Sequence, residues 1–168
     1  DCLTTVEGAA QKKNITIERN LPDSFPSLFA DKELLKVAII NILGNAVKYT
    51  PQNGHIQFML TEQDDFIIFE VTDDGYGISK EDLAHIFDKF YRVESPDLHS
   101  SSKTRFMGAG PGLGLTIAKG IVEAHGGPGL HLAETAEAAQ VVGAVMDHHE
   151  EAGGGRGAGE PAPRPLVE

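Results

Sequence analysis

Hydrophobic and polar positions change period several times along this chain, and each change predicts an element. Residues 4–13 read as a short helix, and Ile15-Thr16-Ile17-Glu18 alternates as a strand does. Leu28-Phe29-Ala30 is a second short strand candidate. Leu34, Leu35, Val37, Ile39, Ile40, Ile42 and Leu43 then crowd a long helix over about 32–49, with Asp31 as its cap and Pro51 as its stop. Ile56, Phe58 and Leu60 alternate in the next segment, and Ile67, Phe69 and Val71 in the one after. With the turn Gln63-Asp64-Asp65 between them, they predict an antiparallel hairpin. Ser79 caps a short helix through Phe87, and residues 93–109 form a long polar loop. A helix over 112–125 closes on Gly126-Gly127. Beyond it, Leu132, Ala136, Ala139, Val142, Val145 and Met146 follow helical spacing and predict a helix from about 131 to 149.

Composition breaks near Gly127: all eight Phe and all three Tyr lie before it. Three parts are therefore expected: a mixed α/β unit over 1–127, an atypical helical segment over 128–149, and a Gly/Pro-rich disordered tail over 150–168. The 168 residues suffice for one real core. A net charge of −11 argues against nucleic-acid binding. No apolar run approaches the roughly twenty residues of a membrane helix, so no membrane segment is expected in this chain. Cys2 is the sole cysteine, which excludes a disulfide framework and a thiolate metal cluster. A cytoplasmic setting fits this usage, with a parent protein that could still be membrane-anchored.

Three segments carry chemistry. Asn41, Asn45 and Lys48 fall at i, i+4 and i+7 on one face of the long helix. Polar groups on a mostly apolar helix need partners. They are either buried hydrogen-bonders or a carbonyl-oxygen ligand for Mg²⁺ at Asn45, with Lys48 as a charge near phosphates. Asp73 continues the inward series Ile67, Phe69, Val71, where a carboxylate is costly unless used. Asp73-Asp74-Gly75-Tyr76-Gly77-Ile78 is either a tight turn or an adenine reader. As a reader, an ionised Asp accepts from the exocyclic amine while Gly75 and Gly77 let the backbone approach the base. Gly110, Gly112 and Gly114, in Gly110-Pro111-Gly112-Leu113-Gly114-Leu115, alternate as a helix opens. They form either a hinge or an anion site on free N–H groups. No P-loop or Rossmann spacing is present.

In this order, with Phe87-Asp88-Lys89-Phe90-Tyr91-Arg92 between the second and third, the segments resemble the ATP-binding catalytic domain of sensor histidine kinases, of the Bergerat-fold (GHKL) ATPase superfamily. The resemblance covers about residues 1–127. It implies an α+β fold: a two-layer sandwich of a mixed, mostly antiparallel sheet with helices on one face. It also implies roles. Asn45, supported by Asn41, would bind Mg²⁺, and Lys48 and Arg92 would contact ATP phosphates. Tyr49, Ile78 and Leu113 would line the nucleotide pocket and Asp73 would take the adenine amine. The glycines Gly75, Gly77, Gly110, Gly112 and Gly114 would shape the turns. Phe87 and Phe90 would anchor the lid.

Relatives that hydrolyse ATP, such as gyrase-type topoisomerases, carry a Glu four residues before the metal-binding Asn as general base. Here that position is Asn41, and an amide cannot take the proton. The resemblance therefore favours phosphoryl transfer to a His on a separate phosphoacceptor hairpin, and thence to a response regulator. No His in this chain has the expected acceptor setting. The family's usual last two strands look missing or replaced after Gly127. That predicts an exposed sheet edge, marginal stability and self-association. It also leaves an alternative function, a nucleotide-binding regulatory or interaction module without turnover.

Overall fold

A computed structural model describes residues 2–24, 28, 30–63, 66–93, 112–127, 129–135 and 138–146. Helix α1 (Cys2–Lys12) buries Leu3, Val6 and Ala10, a single stripe at helical spacing. Strand β1 (Thr16–Asn20) follows. Helix α2 (Lys32–Tyr49) starts where the sequence predicts. One oxygen of the Asp31 carboxylate accepts from the N–H groups of Glu33 and Leu34, each at 3.0 Å. It ends at Thr50, whose N–H donates to the Ala46 carbonyl just before Pro51.

Strands β2 (His55–Gln63) and β3 (Phe66–Asp73) form the expected antiparallel hairpin, with Phe58 opposite Val71 and Leu60 opposite Phe69. Their inward face buries Ile56, Phe58, Phe69 and Val71. Helix α3 (Lys80–Leu83) is shorter than the 79–87 pattern suggests, though Ser79 caps it. Helix α4 (Gly114–Ala124) starts two residues later than expected. It ends as a glycine C-cap should. Gly126 has a left-handed φ of +73° and donates to Glu123, and Gly127 donates back to Val122.

The five-stranded sheet runs β1-β2-β3-β5-β4, where β4 is Gly129–Thr135 and β5 is Ala138–Met146. The β1–β2 pair is parallel and the others antiparallel. Helices α1, α2 and α4 share one hydrophobic core with the inward face of β2, β3 and β5. This is the mixed, mostly antiparallel two-layer α+β arrangement implied by the resemblance.

Two expectations are overturned. The helix over about 131–149 and the missing last two strands are replaced by β4 and β5, which fill that stretch and complete the sheet. Ala, Gly and Val repeat there at spacings that fit either period, and sheet pairing decides between them. Val141 lies opposite Val71 and Val145 opposite Ile67, with Val145 buried. The bare β3 edge that motivated self-association is therefore covered by β5. Composition near Gly127 marks no structural break. A Cβ at Gly127 would collide with the Ala144 carbonyl oxygen, so the end of α4 lies directly on β5. Leu28 and Ala30 are not in a strand, Leu28 packing against the core instead; Phe29 lies outside the described residues, as do residues 94–111 and the tail from 147.

Candidate functional site

The polar face of α2 is the floor of the site. Asn41 is buried, and its Nδ2 donates to the Val37 carbonyl at 3.0 Å. Its other amide atom, Oδ1, faces the start of α4, where a Cβ at Gly114 would lie 3.0 Å away. The absence of a side chain at Gly114 thus lets α4 begin against the α2 amide. Asn45 follows one turn later, half-buried, and Lys48 is exposed. The Lys48 ammonium donates to the Tyr49 hydroxyl at 2.9 Å and lies 4.6 Å from that ring's centroid.

The Asp73 turn hangs on the end of the same helix. Asp73 is buried opposite Ile56, on the core face. Burial pushes its carboxyl up to about 6. The Gly75 N–H, which donates to Asp73 Oδ1 at 3.0 Å, partly opposes this, and the neighbouring Asp74 charge adds to it. A Cβ at Gly75 would collide with Asp73 Oδ1 and come within 2.8 Å of the Tyr49 carbonyl oxygen. The Tyr76 N–H donates to that same carbonyl at 3.3 Å. Gly77 has a φ of +69°, and its missing Cβ would meet no atom of a described residue within 4 Å. Ile78 is half-buried beside it. Asp74 closes the end of the sheet, its carboxylate accepting from the His55 N–H at 2.7 Å.

The third segment is described from Gly112 on, and Gly110 lies outside the described residues. Gly112 has a φ of +78°, and a Cβ there would strike the Tyr91 carbonyl oxygen. Its own carbonyl accepts from the Phe90 N–H at 3.1 Å. The Thr116 hydroxyl donates to the Phe87 carbonyl at 2.8 Å, and the Lys119 ammonium stands 5.4 Å from the Phe87 ring centroid. The aromatic segment is therefore fastened to the first turns of α4. Phe87 does this partly by packing against the core, whereas Phe90 is 65% exposed and holds on through its backbone. Leu113 precedes α4 without a side-chain capping bond, and the Asn41 amide lies against the first residue of the helix. Arg92 is exposed where the described segment ends.

The structure thus brings Asn41, Gly114 and α4 together, and joins Tyr49, Asp73, Gly75 and Tyr76 around the end of α2. Reading the sequence for motifs misses Lys13, whose ammonium caps α2, and Thr50, whose buried hydroxyl has no partner among the described residues. A lysine in the run Lys12-Lys13-Asn14 carries no local signal of that role. The residues present fit a nucleotide with magnesium. A buried carboxyl at Asp73, the positive-φ turn at Gly77 and the start of α4 against Asn41 suit a base and an anion. No group of three or more His, Cys, Asp or Glu among the described residues could hold a metal, so a cation here needs phosphate oxygens to complete its shell.

Residues 30–158 match the family model for the histidine kinase-, DNA gyrase B-, and HSP90-like ATPase. The chain is 39% identical over 119 residues to the sensor histidine kinase WalK of Bacillus subtilis (strain 168), covering 70% of this chain and 18% of that protein. It is 43% identical over 98 residues to the sensor protein CiaH of Streptococcus pneumoniae, covering 58% of this chain and 20% of that one. The chain thus spans about a fifth of the length of these two relatives. Among solved structures, the mycobacterial sensor histidine kinase MprB superposes with a TM-score of 0.68 at 25% identity, covering 87% of this chain and 93% of that one. Full-length ShkA in complex with AMPPNP gives 0.68 at 25% identity, covering 88% of this chain and 29% of that one. With residues 30–158 matching that family model, this chain belongs to the histidine kinase-, DNA gyrase B- and HSP90-like ATPase (GHKL) family, as a catalytic domain of the sensor histidine kinase type.

Proposed function

We propose that this chain holds Mg-ATP and donates the γ-phosphate to a histidine on a separate phosphoacceptor hairpin, within a two-component kinase. The observation that carries the reading is the buried Asp73 carboxyl, held by the Gly75 N–H just before the positive-φ turn at Gly77. An acid whose burial is costly is retained where a base can use it. Asp73 accepts from the adenine amine, and Tyr49 and Ile78 flank the base. Asn45, with Asn41 behind it, would offer its amide oxygen to a magnesium ion, and such an ion would supply neutralisation of charge for phosphoryl transfer. Lys48 and Arg92 contact phosphate oxygens, and the first turn of α4 supplies backbone N–H groups. The ShkA complex with AMPPNP, an ATP analogue, supports a nucleotide in this kind of pocket.

Asn41 stands where hydrolytic relatives carry a general base, so transfer to a protein nucleophile is favoured over attack by water. The module acts in the cytoplasm, and a response regulator receives the phosphoryl group from the hairpin. The reading without turnover rested on an altered ending, and the β4–β5 pair removes that ground. Incubation with labelled ATP and Mg²⁺, with and without a cognate hairpin, tests the proposal. Label should appear on the hairpin's histidine and not on this chain. Stable label on this chain alone, or none on the hairpin, overturns it.

A further inference from the structure

A helix end leaves its last four carbonyls without partners inside the helix. At the end of α2 each has one. Ala46 accepts from the Thr50 N–H at 2.9 Å, and Tyr49 accepts from Tyr76 at 3.3 Å. Between them, Val47 and Lys48 both accept from the Lys13 ammonium, at 2.8 and 2.9 Å. That ammonium also reaches the Thr50 carbonyl at 2.6 Å. A cation at the negative end of a helix dipole is well placed. It is also partly withdrawn from water, and burial lowers its pKa. The hydrogen bonds therefore matter more than they would on an open surface.

We infer that Lys13 is a positioning residue for the nucleotide pocket: by clamping the last turn of α2 it fixes the Tyr49 carbonyl on which the Gly75-Tyr76 turn hangs. The chain of contacts is continuous. Lys13 holds the carbonyls on either side of Tyr49. The Tyr49 carbonyl takes the Tyr76 N–H and abuts Gly75. The Gly75 N–H orients the Asp73 carboxylate. The same turn of α2 carries the Lys48 and Tyr49 side chains. Without the ammonium, the Val47, Lys48 and Thr50 carbonyls lose this donor and the turn can unwind toward water. That displaces the base-reading acid without touching it. The inference rests on the nucleotide-binding reading above.

The test compares Lys13→Met with the wild type and with Lys12→Met, the exposed neighbour, all as the full chain. Mg-ATP and Mg-GTP affinities are titrated at a temperature where near-ultraviolet dichroism shows each protein folded. Backbone amide shifts of Gly75 and Tyr76 are recorded without nucleotide. Lys13→Met should weaken ATP binding about tenfold, a loss typical of charged hydrogen bonds. It should also narrow the preference for ATP over GTP and move both amide signals, while Lys12→Met changes none of these. A purely structural role would lower the melting temperature but leave the base preference and the two amides in place, and that result overturns the inference. If the wild type binds neither nucleotide, the nucleotide-binding reading fails instead. The amide signals then still decide whether Lys13 holds the turn: if they stay in place, the clamp is overturned too.

Discussion

The Gly75 N–H donates to the Asp73 carboxylate at 3.0 Å, the one hydrogen bond from a described residue that this buried acid takes. One donor does not offset burial, so its pKa stays up near 6. The sign of the resulting stability effect follows. A carboxyl whose folded pKa exceeds its unfolded value of about 3.9 favours folding when protonated. That contribution is complete below about pH 4 and is lost as pH rises through about 6. At neutral pH the charged acid costs the empty protein about 3 kcal/mol. Asp73→Asn should therefore raise the melting temperature at pH 7 and close the gap at pH 4, while ATP binding falls at least about tenfold. Calorimetry at the two pH values together with an ATP titration checks both halves.

Wild-type ATP affinity should itself depend on pH. The adenine amine needs an ionised acceptor, so binding weakens below about pH 6 as Asp73 takes up a proton. An affinity that stays flat from pH 7.5 to 5 would place the base-reading charge elsewhere.

Gly77 and Gly112 both have positive φ, but they differ in what surrounds them. Gly77→Ala meets open space among the described residues and costs only the backbone penalty, about 1 kcal/mol, while its methyl group would project where the proposed base approaches. Gly112→Ala meets the same penalty plus a collision with the Tyr91 carbonyl, so it should cost more than about 2 kcal/mol. The expected pattern is weaker nucleotide binding with near-normal melting for Gly77→Ala, and an early melt for Gly112→Ala. Chemical denaturation and nucleotide titration of the two variants distinguish these.

Asn45→Ala should abolish the magnesium dependence of ATP binding, since an amide oxygen is removed and a methyl cannot ligate. Asn45 is only half-buried, so stability should move by less than about 1 kcal/mol. Titrations with Mg²⁺ and with EDTA that still differ in this variant would remove Asn45 from the metal shell.

What the sequence made legible was what is encoded locally. Asp31 and Pro51 bound α2 to the residue, because a cap and a stop act on their immediate neighbours. The β2–β3 hairpin was equally plain, since Phe58, Phe69 and Val71 alternate against a polar turn. β5 was not, because its small residues suit two periods and only pairing with β3 chooses one. The three site segments were legible as side chains. Their joinery was not: the Tyr49 carbonyl that carries the Asp73 turn is backbone, and Lys13 reaches carbonyls 34 to 37 residues away.

The order β1-β2-β3-β5-β4 has a consequence for how this protein is made. Of the described strands, the one that seats beside β3 is the last to be synthesised. Until Met146 has left the ribosome, the flank of β3 that β5 covers stays open. The segments proposed to contact nucleotide are thus all translated before β5 can pair with β3. During that interval the nascent chain depends on non-local pairing still to come, the slowest kind to form and the most exposed to association with other chains.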